Sequence, residues 1–190
     1  MIPTNIQDYV KVYDNFVESN VCDAAVAGLE HANWNVHKFW DPLTEKYIVH
    51  EKELSVTFED IEQSVKIKER MWYAIERYIM KDFSDFNQWF PGWQGFSHLK
   101  FNKYDTSTMM TNHCDHIRTI FDGERKGIPI LSVILALNDN YNGGEFYMWN
   151  DVRITLPKGS ILVFPSNFMY PHRVAEVTNG IRYSCISWVF

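Results

Sequence analysis

The chain has no apolar run long enough to cross a bilayer. Its longest, Ile128 to Leu137, is broken by Pro129 and Ser132 and reaches about half of the ~20 residues that a spanning helix needs. The first residues, MIPTNIQDYVKVYDNF, lack the basic start and apolar stretch of a secretory signal. Cysteine is scarce. Cys22, Cys114 and Cys185 are odd in number and widely scattered, with no paired zinc-site spacing, so neither a disulfide framework nor a structural zinc is indicated. A reducing, cytoplasmic setting with no membrane partner is the expectation. Positive charge is also short: 18 Lys and Arg against 24 Asp and Glu leave a net charge of −6, which argues against charge-driven binding to nucleic acid. No internal repeat, low-complexity segment or linker divides the 190 residues, so one domain over 1–190 is expected. What is plentiful is apolar material, 46% of residues, enough to offset chain entropy with a packed core and to exclude a disordered tail protein. Aromatics at 16% point to a layered β core or an aromatic-lined cleft.

Two regimes follow one another along the chain. Residues 1–96 read as helical support and loops, and 97–190 as a β core. In the first, Val10 and Val12 alternate with polar neighbours and predict a short strand. Ser19 stands where a helix N-cap would, ahead of VCDAAVAGLEHA. Residues 34–56 have no clean period and predict a long loop or a hairpin. From Thr57 a helical stripe of Ile61, Val65, Trp72, Ile75 and Ile79 predicts a helix covering one face of a sheet. In the second regime, strands are expected near 97–104, 109–115, 129–138, 144–149, 152–156, 159–164, 171–177 and 181–189. Asn142-Gly143-Gly144, Pro157-Lys158-Gly159 and Asn179-Gly180 supply turns. Ile130 to Leu137 is apolar on both faces, as an inner strand should be. Eight short antiparallel strands after a helical support predict a mainly β (α+β) double-stranded β-helix, the cupin-like jelly roll.

The chemistry centres on HCDH at 113–116. His113 and Asp115 are two apart at a strand end and leave by one face, while Cys114 turns to the other as a small core residue. An imidazole and a carboxylate make two thirds of the facial triad that holds non-haem Fe(II); alone, such a pair is more often a His bonded to a surface Asp. A second cluster, PHRVAEVTNGIRYSCISW, opens a strand with His172 and places Arg182 and Ser184 on one face of the next. An inward Arg needs a partner, either a dicarboxylate or a neighbour such as Glu145 or Glu176.

From Phe101 to Trp188 these pieces stand in the order found in the Fe(II)/2-oxoglutarate-dependent dioxygenases, and the chain most resembles their prolyl 4-hydroxylase-like branch. Tyr104 precedes the first metal His as in that family. ILSVILALND with GGEFYMW resembles its inner strand and Gly-Gly-Glu segment, LPKGSILVFPS the strand before the distal His, and HRVAEVTNGIRYSCISW its closing strands. The resemblance implies that His113, Asp115 and His172 hold Fe(II) and are the catalytic centre. It implies that Arg182 takes the far carboxylate of the cosubstrate 2-oxoglutarate, helped by Ser184, Tyr104 or Ser132. O2 is consumed, succinate and CO2 are released, the substrate gains a hydroxyl, and L-ascorbate can serve as reductant. Two departures bear on substrate. Arg182 replaces the Lys usual in enzymes acting on collagen-like chains, and Ala136 stands where the oxygen-sensing and bacterial relatives tend to carry Tyr.

The expected substrate is a proline in a peptide or protein, held under covers formed by 35–55 and 116–127, with Asp41, Glu45, Glu51 and Glu53 favouring neutral or basic peptides. A free amino acid or other small metabolite, a nucleic acid, or a non-catalytic metal-binding jelly roll are the alternatives, in falling order. Among other residues, His116 is turned away from Asp115, His98 reads as packing, and His31, His37 and His50 as surface or loop. Trp34, Trp40, Trp89 and Trp93 read as packing residues before cleft residues.

Overall fold

Alternation along the second half of the chain decides the architecture. In the computed structural model, which describes residues 3–41, 44–115 and 128–190, the elements run β1 (Lys11–Tyr13), α1 (Ser19–Leu29), β2 (Asn35–Val36), β3 (Phe39–Asp41), β4 (Lys46–Ile48), β5 (Ser55–Thr57) and α2 (Ser64–Arg77). They continue with β6 (Lys100–Tyr104), β7 (Met110–His113), β8 (Leu131–Ala136), β9 (Asn142–Gly143), β10 (Phe146–Met148) and β11 (Val152–Ile154). The last are β12 (Ile161–Pro165), β13 (His172–Val174), β14 (Val177–Asn179) and β15 (Arg182–Val189). A seven-stranded sheet of order β1-β12-β8-β15-β6-β5-β2 packs against a four-stranded sheet of order β11-β10-β13-β7. Every pairing within the two sheets is antiparallel. This is the jelly roll expected from the strand pattern.

The period of two sorts side chains between two cores. Phe101, Val133, Leu135, Ile161, Val163 and Cys185 face outward against α1 and α2. Their neighbours Tyr104, Ile134, Leu162, Phe164 and Ile186 face inward, toward Phe146, Met148 and Val174 of the smaller sheet. β8 is buried along its whole length, as its two-faced apolar pattern requires. On β6 and β15 the inward register also carries Lys100, Asn102, Arg182 and Ser184, all buried. The interior of the barrel is therefore apolar at its walls and polar along one seam, and that seam positions the site.

All eight strands expected in the second half are present, with shorter bounds. The first half needed more revision. β1 joins the large sheet beside β12. Ser19 is the first helical residue rather than the cap; Glu18 takes the cap position without a side-chain bond, because Phe16 and Val17 are already tied through their N–H groups to the Gly159 carbonyl. Thr57 belongs to β5, not to a helix, and the buried face of α2 is Ser64, Ile67, Met71, Ala74 and Ile75. Val65, assigned to that stripe from the sequence, is 78% exposed. The chain runs on from α2 into a π-helical turn at Tyr78–Asp82. The aperiodic 34–56 segment holds the hairpin β3–β4 and also supplies β2 and β5 to the large sheet. Asn142 and Gly143, expected as a turn, pair with β14.

Gly159 fixes the start of α1. Its φ is +80°, and a Cβ there would stand 2.4 Å from the Val17 carbonyl oxygen, which is backbone and cannot swing away. Gly159→Ala is expected to lower the unfolding free energy by about 1–3 kcal/mol, from left-handed strain plus the displaced contact. Urea unfolding measures this, and an unchanged midpoint would remove Gly159 from the account of how α1 is anchored.

Candidate active site

His113 ends β7 and His172 begins β13, and the two residues are register partners across that strand pair. Their rings lie 4.4 Å apart between centroids. Asp115, two residues beyond β7, brings Oδ1 to 3.5 Å from His113 Nε2 and 3.7 Å from His172 Nε2. The ligand atoms of all three lie within 4.8 Å of one another. Local bonds fix which nitrogen faces inward. His113 Nδ1–H donates to the Thr111 carbonyl at 2.9 Å, and His172 Nδ1–H donates to the Tyr170 carbonyl at 3.1 Å. A carbonyl can only accept, so the proton sits on Nδ1 and each Nε2 is left facing the carboxylate. His172 is clamped between Phe146, stacked at 5.3 Å, and the edge of Phe164 at 5.1 Å. Burial pushes its pKa down to about 4, which leaves a neutral ligand at pH 7.

Burial alone would raise the Asp115 carboxyl, but the facing His172 and His113 and the Ser132 hydroxyl outweigh it and hold the group well below the usual carboxylate range. Ser132 Oγ–H donates to Asp115 Oδ2 at 2.6 Å and lies 2.8 Å from Ser166 Oγ. Ser132 was expected among helpers of the cosubstrate; its hydroxyl is instead committed to the candidate metal ligand. Ser132→Ala is expected to weaken Mn(II) or Fe(II) binding by about tenfold while the fold persists, the usual cost of removing an outer partner of a ligand. Calorimetric titration with Mn(II) reads this, and wild-type affinity would mean that Asp115 is oriented by other contacts.

Four residues along β6 from its start, Tyr104 pairs with Arg182 of β15. Arg182 is 2% exposed, its Nη1–H donates to Ser184 Oγ at 3.3 Å, and its guanidinium lies 4.9 Å from the Tyr104 ring centre. Neither neighbouring carboxylate considered from the sequence pairs with it: Glu176 is bound to Lys52 at 2.7 Å, and among described residues no ion pair reaches Arg182. Gly144 allows the side chain to lie flat, since a Cβ there would sit 3.0 Å from Arg182 Cδ. Arg182 also borders a cleft of about 310 Å3 with Tyr141, Phe146 and Arg153. The structure thus brings together His113, Asp115 and His172 at the β7–β13 side of the barrel interior, and Arg182, Ser184 and Tyr104 on the facing β6–β15 wall.

Around the candidate metal ligands stand residues that the sequence reading did not place there. Phe39 of the β3–β4 hairpin meets the His113 ring edge-on at 5.8 Å and also touches His37 and His50. His37 is no surface residue: its Nδ1 lies 3.2 Å from Glu53 Oε1, and the Glu53 side chain is 2% exposed. Glu53 is therefore not part of an acidic rim. Lys100, on the inner face of β6, is 7% exposed, and burial lowers its pKa to about 8. Strand parity was the signal available, because Lys100, Asn102 and Tyr104 share a face. Other corrections are smaller. Cys114 is half-buried, its Sγ–H directed to the Phe168 carbonyl, because the chain leaves β7 before Cys114 can reach the core. His98 is exposed, and Trp89 is 75% exposed instead of packed. Trp34 packs on the outer core, and Trp93 stacks edge-on with Trp72. The Trp40 side chain, His116 and the rest of 116–127 lie outside the described residues.

The donor set suits a divalent metal: two imidazole nitrogens and one carboxylate converge. The seam suits a polar organic ligand too, since among the described residues Asn102 Oδ1 and Trp188 Nε1 are buried without partners and no carboxylate pairs with Arg182. A jelly roll with these features is what the resemblance to the Fe(II)/2-oxoglutarate oxygenases leads one to expect. Residues 99–190 match the family model of the 2OG-Fe(II) oxygenase superfamily. The likeness is to its prolyl 4-hydroxylase-like members. A PKHD-type hydroxylase of Synechococcus elongatus is 32% identical over 96 residues, 48% of this chain and 42% of its own length. Another from Xylella fastidiosa is 39% identical over 64 residues, 31% of this chain and 27% of its own length. The chain thus spans under half the length of these relatives. In fold, it resembles a Pseudomonas putida prolyl-4-hydroxylase with a TM-score of 0.66 at 17% identity, covering 95% of this chain and 91% of that one. A Trichoplax adhaerens prolyl hydroxylase, solved with a hypoxia-inducible-factor peptide, gives 0.66 at 17% identity over 96% of this chain and 84% of that one.

Proposed function

We propose that the chain is an Fe(II)- and 2-oxoglutarate-dependent dioxygenase that hydroxylates a proline within an extended peptide. The observation that supports this reading best is the presence, on the facing walls of one barrel, of a convergent His113, Asp115 and His172 and of a buried Arg182 that meets no carboxylate among the described residues. Fe(II) and 2-oxoglutarate, when bound, supply O2 activation coupled to oxidative decarboxylation, releasing succinate and CO2; L-ascorbate as reductant belongs to the same reading. The chain's own part is to bind and orient. His113, Asp115 and His172 would hold the metal on one side and leave the opposite side to ligands. The guanidinium fork of Arg182 would take the far carboxylate, with Ser184 aligning it and the Tyr104 hydroxyl beside it. The apolar walls formed by Ile134, Leu162, Phe164 and Ile186 would keep bulk water from the reacting centre.

For a peptide substrate, the support is the peptide held by the Trichoplax relative of similar fold and the β3–β4 hairpin, whose Phe39 borders His113. A free amino acid or another small metabolite is the alternative within the same chemistry. The unpaired cysteines fit the cytoplasmic setting that goes with this proposal. Succinate formation and product mass, measured with a Pro-rich peptide and with free proline, separate the readings. Gain of one oxygen on peptidyl proline is the expected result; turnover of free proline with none of any peptide would transfer the proposal to small molecules.

A further inference from the structure

Lys100 has no place in the scheme above, and its position is costly. Its side chain enters the barrel from β6 on the face shared with Asn102 and Tyr104, 7% exposed, and among the described residues its Nζ makes neither a hydrogen bond nor an ion pair. Its Nζ lies over the Trp188 ring, 5.7 Å from the ring centre. An ammonium on a side chain this buried gives up most of its hydration, and a ligand carboxylate would offset that loss. The carboxylates whose charge it feels are Asp115 and Glu53, both beyond ion-pair distance and both already engaged, with Ser132 and with His37.

The register says which end of the pocket Lys100 serves. Lys100 is opposite Ile186, whereas Tyr104 is opposite Arg182, so the two cations enter the seam four residues apart along β6, roughly 13 Å at the usual strand rise. Trp188, over which Nζ lies, is the register partner of Ser132, and Ser132 holds Asp115. Lys100 is thus at the level of the candidate metal ligands and Arg182 at the far level. With a divalent metal taking up the charge of Asp115, the seam presents two buried cations, one near each end, to a ligand lying between them.

We propose that Lys100 is a second carboxylate-binding residue of the cosubstrate pocket, pairing with the metal-end carboxylate of 2-oxoglutarate while Arg182 takes the other. A dianion with its charges at opposite ends would satisfy both orphaned cations at once, and a monocarboxylate would satisfy only one. The inference rests on the cosubstrate assignment above, and Lys100 acts as a positioning residue for the end of the cosubstrate at which the chemistry occurs.

Binding to the Mn(II)-loaded protein tests this without turnover, by titration calorimetry with 2-oxoglutarate and with 2-oxovalerate, which has the same chain length but no far carboxylate. Lys100→Met is expected to weaken both ligands by about the same factor, roughly tenfold for a lost charge-assisted bond. Arg182→Gln should weaken 2-oxoglutarate alone. Lys100→Arg should recover most of the affinity, and Lys100→Gln stands in if the methionine variant does not fold. Mn(II) affinity should hold or rise in Lys100→Met, because a cation near Asp115 has been removed, whereas a merely structural lysine would take the metal site down with it. Unchanged 2-oxoglutarate binding in Lys100→Met, or a loss confined to 2-oxoglutarate and absent with 2-oxovalerate, would overturn the inference. Failure of the wild-type protein to bind 2-oxoglutarate with Mn(II) present would instead sink the proposed function itself.

Discussion

His172→Ala is expected to eliminate metal-dependent succinate formation and to cut Mn(II) or Fe(II) affinity by more than about a hundredfold, beyond the loss that follows from removing an outer partner. Asp115→Ala and His113→Ala should do the same. The reason is geometric. Each residue supplies one of three atoms that lie within 4.8 Å, and two donors cannot define the face that three define. His172 is the most tightly held of the three, because it stands between Phe146 and Phe164 with its Nδ1 proton committed to the Tyr170 carbonyl. The fold should survive each change with a loss of about 1–3 kcal/mol, the ordinary range for a buried substitution. Metal titration beside thermal unfolding separates the two effects. Retained affinity in His172→Ala with an intact fold would show that the ligand assignment is wrong.

Arg182→Gln is the second large effect. The apparent 2-oxoglutarate requirement should rise by about 10–100-fold, as expected when a buried charge-assisted pair is lost. Glutamine still reaches Ser184 but brings no charge and no fork. Arg182→Lys should fall between, a point charge replacing two parallel donors. Metal affinity should barely move, because Arg182 lies four register positions from the level of Lys100 along β6. Initial rates against 2-oxoglutarate concentration give the answer; an unaltered requirement in the glutamine variant would place the carboxylate elsewhere in the barrel.

The second half of the chain was legible because its strands obey a period of two and its turns carry Gly, Asn and Pro at the right places. β8 announces itself by six buried residues in a row, and Gly159 by the turn it makes possible. The candidate ligands were legible through spacing on a strand end plus the family resemblance. The first half was less so. Its short strands β2 and β5 join the large sheet by two and three residues apiece, lengths at which periodicity carries no signal. α2 was displaced because apolar Val65 lies on the solvent side while Ser64 is buried, its Oγ accepting the Ile61 N–H. At the site, Lys100, His37 and Glu53 were missed for a common reason: charged residues read as surface until strand parity or a buried partner is taken into account.

One feature of the strand ladder bears on how the molecule opens. β7 is an outer strand of the four-stranded sheet, four residues long, and its register against β13 slips between His172 and Val174. Few backbone bonds therefore fasten it, and an unfastened outer strand is where a sheet peels first. His113 and His172 face each other across that weak ladder, so a metal bound to both would act as a clasp between two strands far apart in sequence. Amide protons of Thr111 to His113 should then exchange slowly in the metal-loaded protein and rapidly after chelation, while those of β8 hardly change. The melting temperature should climb with metal concentration by mass action. Such a protein would tie the integrity of its outermost strand to the same ion that its chemistry requires.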